Sequence, residues 1–190
     1  FQNNNEIRPT GGFIGSLATL TIDKGVITNM EIKDVYDYDG QLLGHVNPPL
    51  ALKNYLNQPA WYLRDSNWSP DFPTSAQNAA WFLDKSAKLN PNLIIAIDTE
   101  VLKTLLAELG PFDIQGIEQP ITKDNYQAIL NDHIETDFFP GSRRKTNSLS
   151  QLGTDIKYRL TNSTSQQQLN LASTVIPLLN EKHILIHNDN

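Results

Sequence analysis

Arginine says most about chemistry in this chain, because only five copies, Arg8, Arg64, Arg143, Arg144 and Arg159, are spread over 190 residues. Its planar fork of N–H donors grips phosphates and carboxylates two bonds at a time. Four of the five stand within three residues of a Gly, Pro or Asp, in expected loops or helix starts. The run Pro140-Gly141-Ser142-Arg143-Arg144-Lys145 puts three cations at an expected helix N-terminus. The macrodipole disfavours positive charge there, so this helix start suits an anion placed against it. A solvated basic turn accounts for the same run.

Acidic residues gather in Glu31, Asp34, Asp37 and Asp39, with Asp65 and Asp71 further on. The spacing Asp34-x-x-Asp37-x-Asp39 at the end of an expected strand can collect carboxylates for Mg²⁺, which takes a few carboxylates together with substrate phosphates and water. In the alternative, Asp37 and Asp39 only build a turn with Gly40. Asp34 is the stronger candidate, since it follows a strand expected to be half-buried. The stretch Trp61 to Pro73 combines two Trp, a Tyr and a Phe with Arg64, Asp65 and Asp71. Trp61 and Trp68 can stack on a sugar or flank an isoprenoid chain. Equally, these aromatics can pin the loop to the body of the fold, with Arg64 and Asp65 held in local ion pairs.

Other chemistries find no support. His45, His133, His183 and His187 form no HExxH pattern, and no serine sits in a GxSxG elbow. GGFIG at 11–15 precedes an expected strand and opens no helix, so it is not a dinucleotide fingerprint. The absence of cysteine excludes thiol catalysis, zinc ribbons and disulfide frameworks. A net charge of −6 argues against a nucleic-acid partner. Charged residues make up 19%, below the usual ~25%, and neutral amides supply much of the polarity, with 19 Asn and 11 Gln. No apolar run exceeds five residues, whereas a spanning helix needs about 20. A hydrophobic content of 39% is enough to bury a core without staples.

The elements that must position these groups follow from periodicity. FIGSLATLTI and VITNMEIKDVY, separated by Asp23-Lys24-Gly25, read as a β-hairpin. From Asp37 to Pro73 the pattern dissolves into a long loop, with one short helix expected near Pro49 to Leu56. Thr74 reads as the N-cap of a helix running to Lys88. LIIAI at 93–97 reads as a fully buried strand. Asp98 then caps a helix with Val101, Leu102, Leu105, Leu106 and Leu109 on one face, stopped by Gly110-Pro111. A short strand is expected at 112–115, then helices at 123–131, 142–160 and 166–180. The last of these presents Leu169, Ala172, Val175, Ile176 and Leu179, and HILIH at 183–187 closes the chain as a strand. Strand, helix and strand in succession place the chain in the α/β class.

Five blocks in order, QNNNEIRPTGGFIGS, DVYDYDGQL, WYLRDSNWSPDFPTSAQNAAWF, IAIDTEVLKTLLAELGP and FFPGSRRK, resemble the bacterial domain of unknown function 4012 family over nearly the whole chain. That family is similar, more remotely, to the LytR-CpsA-Psr cell-wall phosphotransferases. GGFIGSLATLTIDKGVITNMEIKD resembles their first hairpin, which carries a metal-binding Asp. GSRRKTNSLSQL resembles the start of their late helix, whose arginines hold a pyrophosphate, so that role carries onto Arg143 and Arg144. Where those enzymes have an early Asp and an Arg-Ser-Asp, this chain reads Asn3-Asn4-Asn5-Glu6 and Phe13-Ile14-Gly15-Ser16, and Lys33 stands where an Arg would precede Asp34.

The resemblance implies a single α-β-α layered sandwich with a central mixed sheet over residues 1–190, excised from a longer parent anchored in the membrane and facing outward from the bacterial cell. It implies a domain binding a polyprenyl-pyrophosphate-linked glycan and transferring glycan phosphate to a cell-wall hydroxyl. Arg8, Arg64, Arg143 and Arg144 would clamp the pyrophosphate, with Trp61 and Trp68 against the substrate. Asp34 or Asp65 would act as base, and Asp34 with Asp37 would hold Mg²⁺. The missing Asp positions motivate the alternative, a non-catalytic module for glycan, lipid or protein at the envelope that kept the fold and lost the metal.

Overall fold

The computed structural model describes residues 1–129 and 143–188, with the side chains of 143–147 outside that description. The expected hairpin forms as β3 (Ser16–Asp23) and β4 (Val26–Asp34), turning on Gly25 at φ +80. A two-stranded ladder of β1 (Gln2–Asn3) and β2 (Phe13–Ile14) precedes it, antiparallel, with Gln2 opposite Ile14. Gly12 makes that ladder possible, because any Cβ there would collide with the Asn3 carbonyl. Strands β5 (Leu93–Ile97) and β6 (Ile184–Asn188) form the third pair. The class is mixed α/β with small antiparallel sheets.

The stretch expected as a long loop is more ordered than its sequence suggests. It carries α1 (Val35–Asp39), α2 (Leu50–Tyr55) and a kinked 3-10 segment (Leu63–Trp68) before α3 (Phe72–Ala87). Asp71, not Thr74, caps α3. Its side chain accepts from the Thr74 N–H at 3.0 Å, and Pro73 occupies the first turn, where a missing N–H costs nothing. Asp98 caps α4 (Thr99–Leu109) as expected. Strand β5 is only half covered, with Leu93 and Ile95 nearly half exposed, because among the described residues it pairs with β6 alone. At 112–115 only a single bridge forms, Phe112 to Ile121. Of the helix expected at 123–131, residues 123–125 form a turn and 126–129 are helical, the rest lying outside the described residues.

Two helices complete the described chain, α5 (Arg143–Thr161) and α6 (Ser165–Asn180). Gly153 lets α5 approach β4, since a Cβ there would strike Ile32 Cδ1. Helix α6 buries Leu171 and Leu178 and leaves Leu169 and Ile176 exposed, the reverse of the expected face. Its sequence carries two apolar stripes, and periodicity alone cannot choose between them. Packing on α4 selects the Leu171 stripe.

The contacts divide the described chain into two compact units. The first holds Phe1–Ser16, Val35–Ile97 and the chain from Leu185, and the second holds Leu17–Asp34 and the described part of Asp98–Ile184. The core of the first is built on Tyr38, Leu52, Leu63 and Phe82, that of the second on Phe112, Ile121, Leu106 and Leu152.

Candidate functional site: a closed arginine and carboxylate cluster beside an aromatic pocket

The 3-10 segment gathers the charged residues of the first unit. Its second and third residues are Arg64 and Asp65, and its kink, with Asp65 at φ −117 and ψ 15, turns the two side chains toward different partners. Arg64 Nη1 donates to Asp39 Oδ2 at 2.9 Å, Nη2 to Gln58 Oε1 at 3.3 Å, and Nε lies 3.6 Å from Asp65 Oδ2. The guanidinium sits over Tyr62 at 4.4 Å and Tyr36 at 5.6 Å. Arg8 reaches in from the loop between β1 and β2, where its Nε donates to Asp65 Oδ1 at 2.9 Å over the Phe13 ring. Two cations and two anions therefore alternate in one chain, Arg8, Asp65, Arg64, Asp39, which sums to zero charge.

This cluster is withdrawn from solvent. The side chains of Asp65 and Asp39 are 3% and 5% exposed, those of Arg8 and Arg64 11% and 17%. Burial pushes the Asp39 carboxyl up to about 6, against the opposing pull of Arg64 and of the Leu63 N–H, which donates to Asp39 Oδ1 at 2.9 Å. The segment is held rigidly from other sides as well. Asn67 Nδ2 donates to the Gly12 carbonyl at 2.7 Å, and Trp61 Nε1 to the Asp65 carbonyl at 2.9 Å.

Beside the cluster lies a cavity of about 250 Å³ lined by Val46, Trp61, Asn78, Trp81 and Phe82. Asn78, Trp81 and Phe82 share one face of α3 by their three- and four-residue spacing. The Phe82 ring meets both indoles edge-on, Trp61 at 5.3 Å and Trp81 at 5.0 Å. Trp61 is also fixed by its N–H, which donates to the Val46 carbonyl at 2.8 Å.

Of the residues expected in the site, the fold brings together Arg8, Arg64 and Asp65, and it adds Asp39, for which the sequence leaves open a carboxylate for Mg²⁺ or a turn with Gly40. Trp61 lines the cavity. Trp68 ends the 3-10 segment, half-buried and off the cavity wall. Asp34 closes β4 in the second unit, 6% exposed, while Asp37 lies on α1. Arg143 and Arg144 are the first described residues of α5, and their side chains fall outside the described residues. Among the described residues no group of three or more His, Asp or Glu side chains could hold a metal ion. The carboxylates of Asp39 and Asp65 do not fit Mg²⁺ either, because each already has a guanidinium at 2.9 Å that a divalent cation would have to displace.

Sequence reasoning did not single out Asn78, Trp81 and Phe82, although their helical spacing was a usable signal. It also missed the pair in the second unit between His183 Nδ1 and Asp98 Oδ2 at 2.7 Å, which ties the start of α4 to the residue before β6. No described helix is long and apolar enough to cross a membrane.

The sequence matches the family model described as "Protein of unknown function (DUF4012)" over residues 1–134. The chain belongs to this family. The matched span of the DUF4012 chain takes in the cluster and the cavity entirely. No curated protein and no solved structure matches it.

Proposed function

We propose that this DUF4012 domain is a non-catalytic binding module of the bacterial envelope, which holds a polyprenyl-linked glycan outside the membrane without transferring its phosphate. What carries this reading is the state of the arginines. Arg8 and Arg64, the cations of the first unit that would clamp a pyrophosphate, are each 2.9 Å from a buried carboxylate. Stabilising the charge that develops in phosphoryl transfer needs donors aimed at the migrating group. These donors are aimed at Asp65 and Asp39. The envelope location, the layered LytR-CpsA-Psr-like sandwich and the lipid-linked ligand rest on the resemblance of the five sequence blocks. Arg143 and Arg144, in the first turn of the 19-residue α5, are the positions for contact with the donor's phosphates.

The test mixes the protein with vesicles carrying a polyprenyl-pyrophosphate oligosaccharide, Mg²⁺ and a hydroxyl acceptor. Saturable co-flotation without release of polyprenyl phosphate is expected, weakened in the doubly substituted Arg143→Ala, Arg144→Ala protein. Turnover that disappears on substitution of Asp34 or Asp65 in a folded protein would overturn the reading in favour of the phosphotransferase.

A further inference from the structure

We infer that the cavity between Trp61 and Trp81 is a subsite for a single uncharged pyranose ring of the glycan, stacked on the indoles and hydrogen-bonded by Asn78. The inference deepens the binding-module reading and rests on it for the class of ligand. The wall is built in advance. Phe82 holds both indoles at near-right angles to itself, 83° and 87°, and Trp61 has no polar group left to offer because its Nε1–H is spent on the Asp65 carbonyl. What Trp61 and Phe82 have left to offer the cavity is carbon surface, the complement of a sugar's axial C–H face.

The polar lining decides between occupants. Asn78 is the only amide among the five lining residues, and none of them is charged. Its Nδ2 reaches the Ser66 carbonyl at 3.5 Å, the long limit of a hydrogen bond. An isoprenoid chain would cover the indoles but strip water from Asn78 with nothing in return, an uncompensated loss. A ring hydroxyl or acetamido group supplies both donor and acceptor. A phosphate or uronate would bring charge against a lining that has no cation of its own, and Lys85 Nζ, 5.9 Å from the Trp81 ring centroid, is already paired with Asp84 at 2.8 Å. The volume of about 250 Å³ lies below the ~300–1,000 Å³ typical of larger ligands, which limits the subsite to one ring. Trp81 is 45% exposed, so the next residues of the chain can leave over its edge.

The experiment uses free neutral oligosaccharides without lipid or phosphate, namely chitotetraose, cellotetraose and maltotetraose, with farnesyl phosphate as the competing chemistry. Binding is read from tryptophan emission and from saturation-transfer NMR. At least one oligosaccharide is expected to bind saturably. Trp81→Ala should weaken it about tenfold and Asn78→Ala about fivefold, while Trp81→Phe keeps most of the affinity. Circular dichroism confirms that the variants fold. The subsite is refuted if no oligosaccharide binds, if the folded Trp81→Ala and Asn78→Ala proteins bind as well as the parent, or if farnesyl phosphate alone binds and is lost with Trp81. Donor co-flotation undiminished in the Trp81→Ala protein would sink the subsite yet leave the binding module standing, and release of polyprenyl phosphate by the parent would sink the module instead.

Discussion

Arg64 in the first unit and Arg159 in the second solve the same problem with opposite partners. Both guanidiniums lie on an aromatic ring, Arg64 over Tyr62 at 4.4 Å and Arg159 over Phe112 at 3.9 Å. Arg64 meets carboxylates, whereas Arg159 donates to the backbone carbonyls of Leu109, the last residue of α4, at 2.6 Å and of Pro111, two residues further on, at 2.8 Å. The Leu109 carbonyl is an orphan at the negative end of a helix dipole, and the Pro111 carbonyl lies just past it. Losing Arg159 leaves dipoles that water can reach. Losing Arg64 leaves the buried Asp39 carboxylate without its cation, while Asp65 keeps Arg8 at 2.9 Å, so a charge is structurally expensive to remove where its partner cannot be rehydrated.

The largest break in this comparison is Arg64→Ala, expected to destabilise the first unit by about 3–5 kcal/mol, the usual cost of orphaning a buried charge. All three tryptophans, Trp61, Trp68 and Trp81, lie in that unit. Their emission during urea unfolding therefore reports it selectively, while circular dichroism weighs the helices of both. A loss below about 1 kcal/mol, typical of surface pairs, would show that the cluster is solvated. Because the charges alternate, Arg8→Ala and Arg64→Ala share Asp65 and should be strongly non-additive in a double-mutant cycle.

Asp39 sharpens the same point through pH. Its carboxyl is pushed up to about 6 in the folded unit from an ordinary 3.8, by burial. The folded state thus binds the proton more tightly than the unfolded chain. The contribution of Asp39 is fully present below pH 3.8 and is lost as pH rises through about 6, amounting to roughly 3 kcal/mol across that window. Asp39→Asn should flatten this slope in tryptophan-monitored unfolding between pH 4 and 7. An unchanged slope would mean that Arg64 outweighs burial. The cost of Arg64→Ala should likewise be smaller at pH 5 than at pH 8, since an abandoned Asp39 can take up a proton.

How much of this was legible beforehand follows from sequence distance. The β3–β4 hairpin, the stop of α4 at Gly110 and the capping by Asp98 were readable because their causes lie within a few residues. The cluster was not, since Arg64 and Asp39 are 25 positions apart and Arg8 and Asp65 are 57. The adjacency Arg64-Asp65 even suggested a local pair, which exists only as the longest contact, 3.6 Å. The stretch around the 3-10 segment has no periodicity to reveal it, because the tertiary hydrogen bonds that the Leu63 N–H donates to Asp39 and the Asn67 amide donates to Gly12 hold it in place. In α6 the sequence shows the apolar residues but not their phase, as only the partner helix selects a stripe.

Removal of Arg159 comes next in size. Arg159→Ala forfeits two charge-assisted hydrogen bonds, and about 2 kcal/mol is expected. The loss should appear in circular dichroism and leave tryptophan emission nearly unmoved, the inverse of Arg64→Ala. Equal shifts in both signals would show that the two units unfold as one and would erase the distinction drawn between them.

The smallest effect tests whether the second unit is held by independent local devices. Helix α6 starts with a reciprocal cap, in which Thr164 Oγ1 accepts from the Gln167 N–H at 3.3 Å and Gln167 Oε1 accepts from the Thr164 N–H at 2.8 Å. Thr164→Ala opens one orphan donor at a solvent-facing helix end, for about 1 kcal/mol. Neither partner is a buried charge, so nothing propagates. Thr164→Ala and Arg159→Ala should therefore add, within the ~0.3–0.5 kcal/mol seen for uncoupled sites. Additivity there beside strong coupling between Arg8 and Arg64 would establish that the first unit is tied by one shared network and the second by separate ties. Coupling at Thr164 as large as at Arg64 would instead mean that stability in this fold is set by the packing of its helices, with the buried charges merely tolerated.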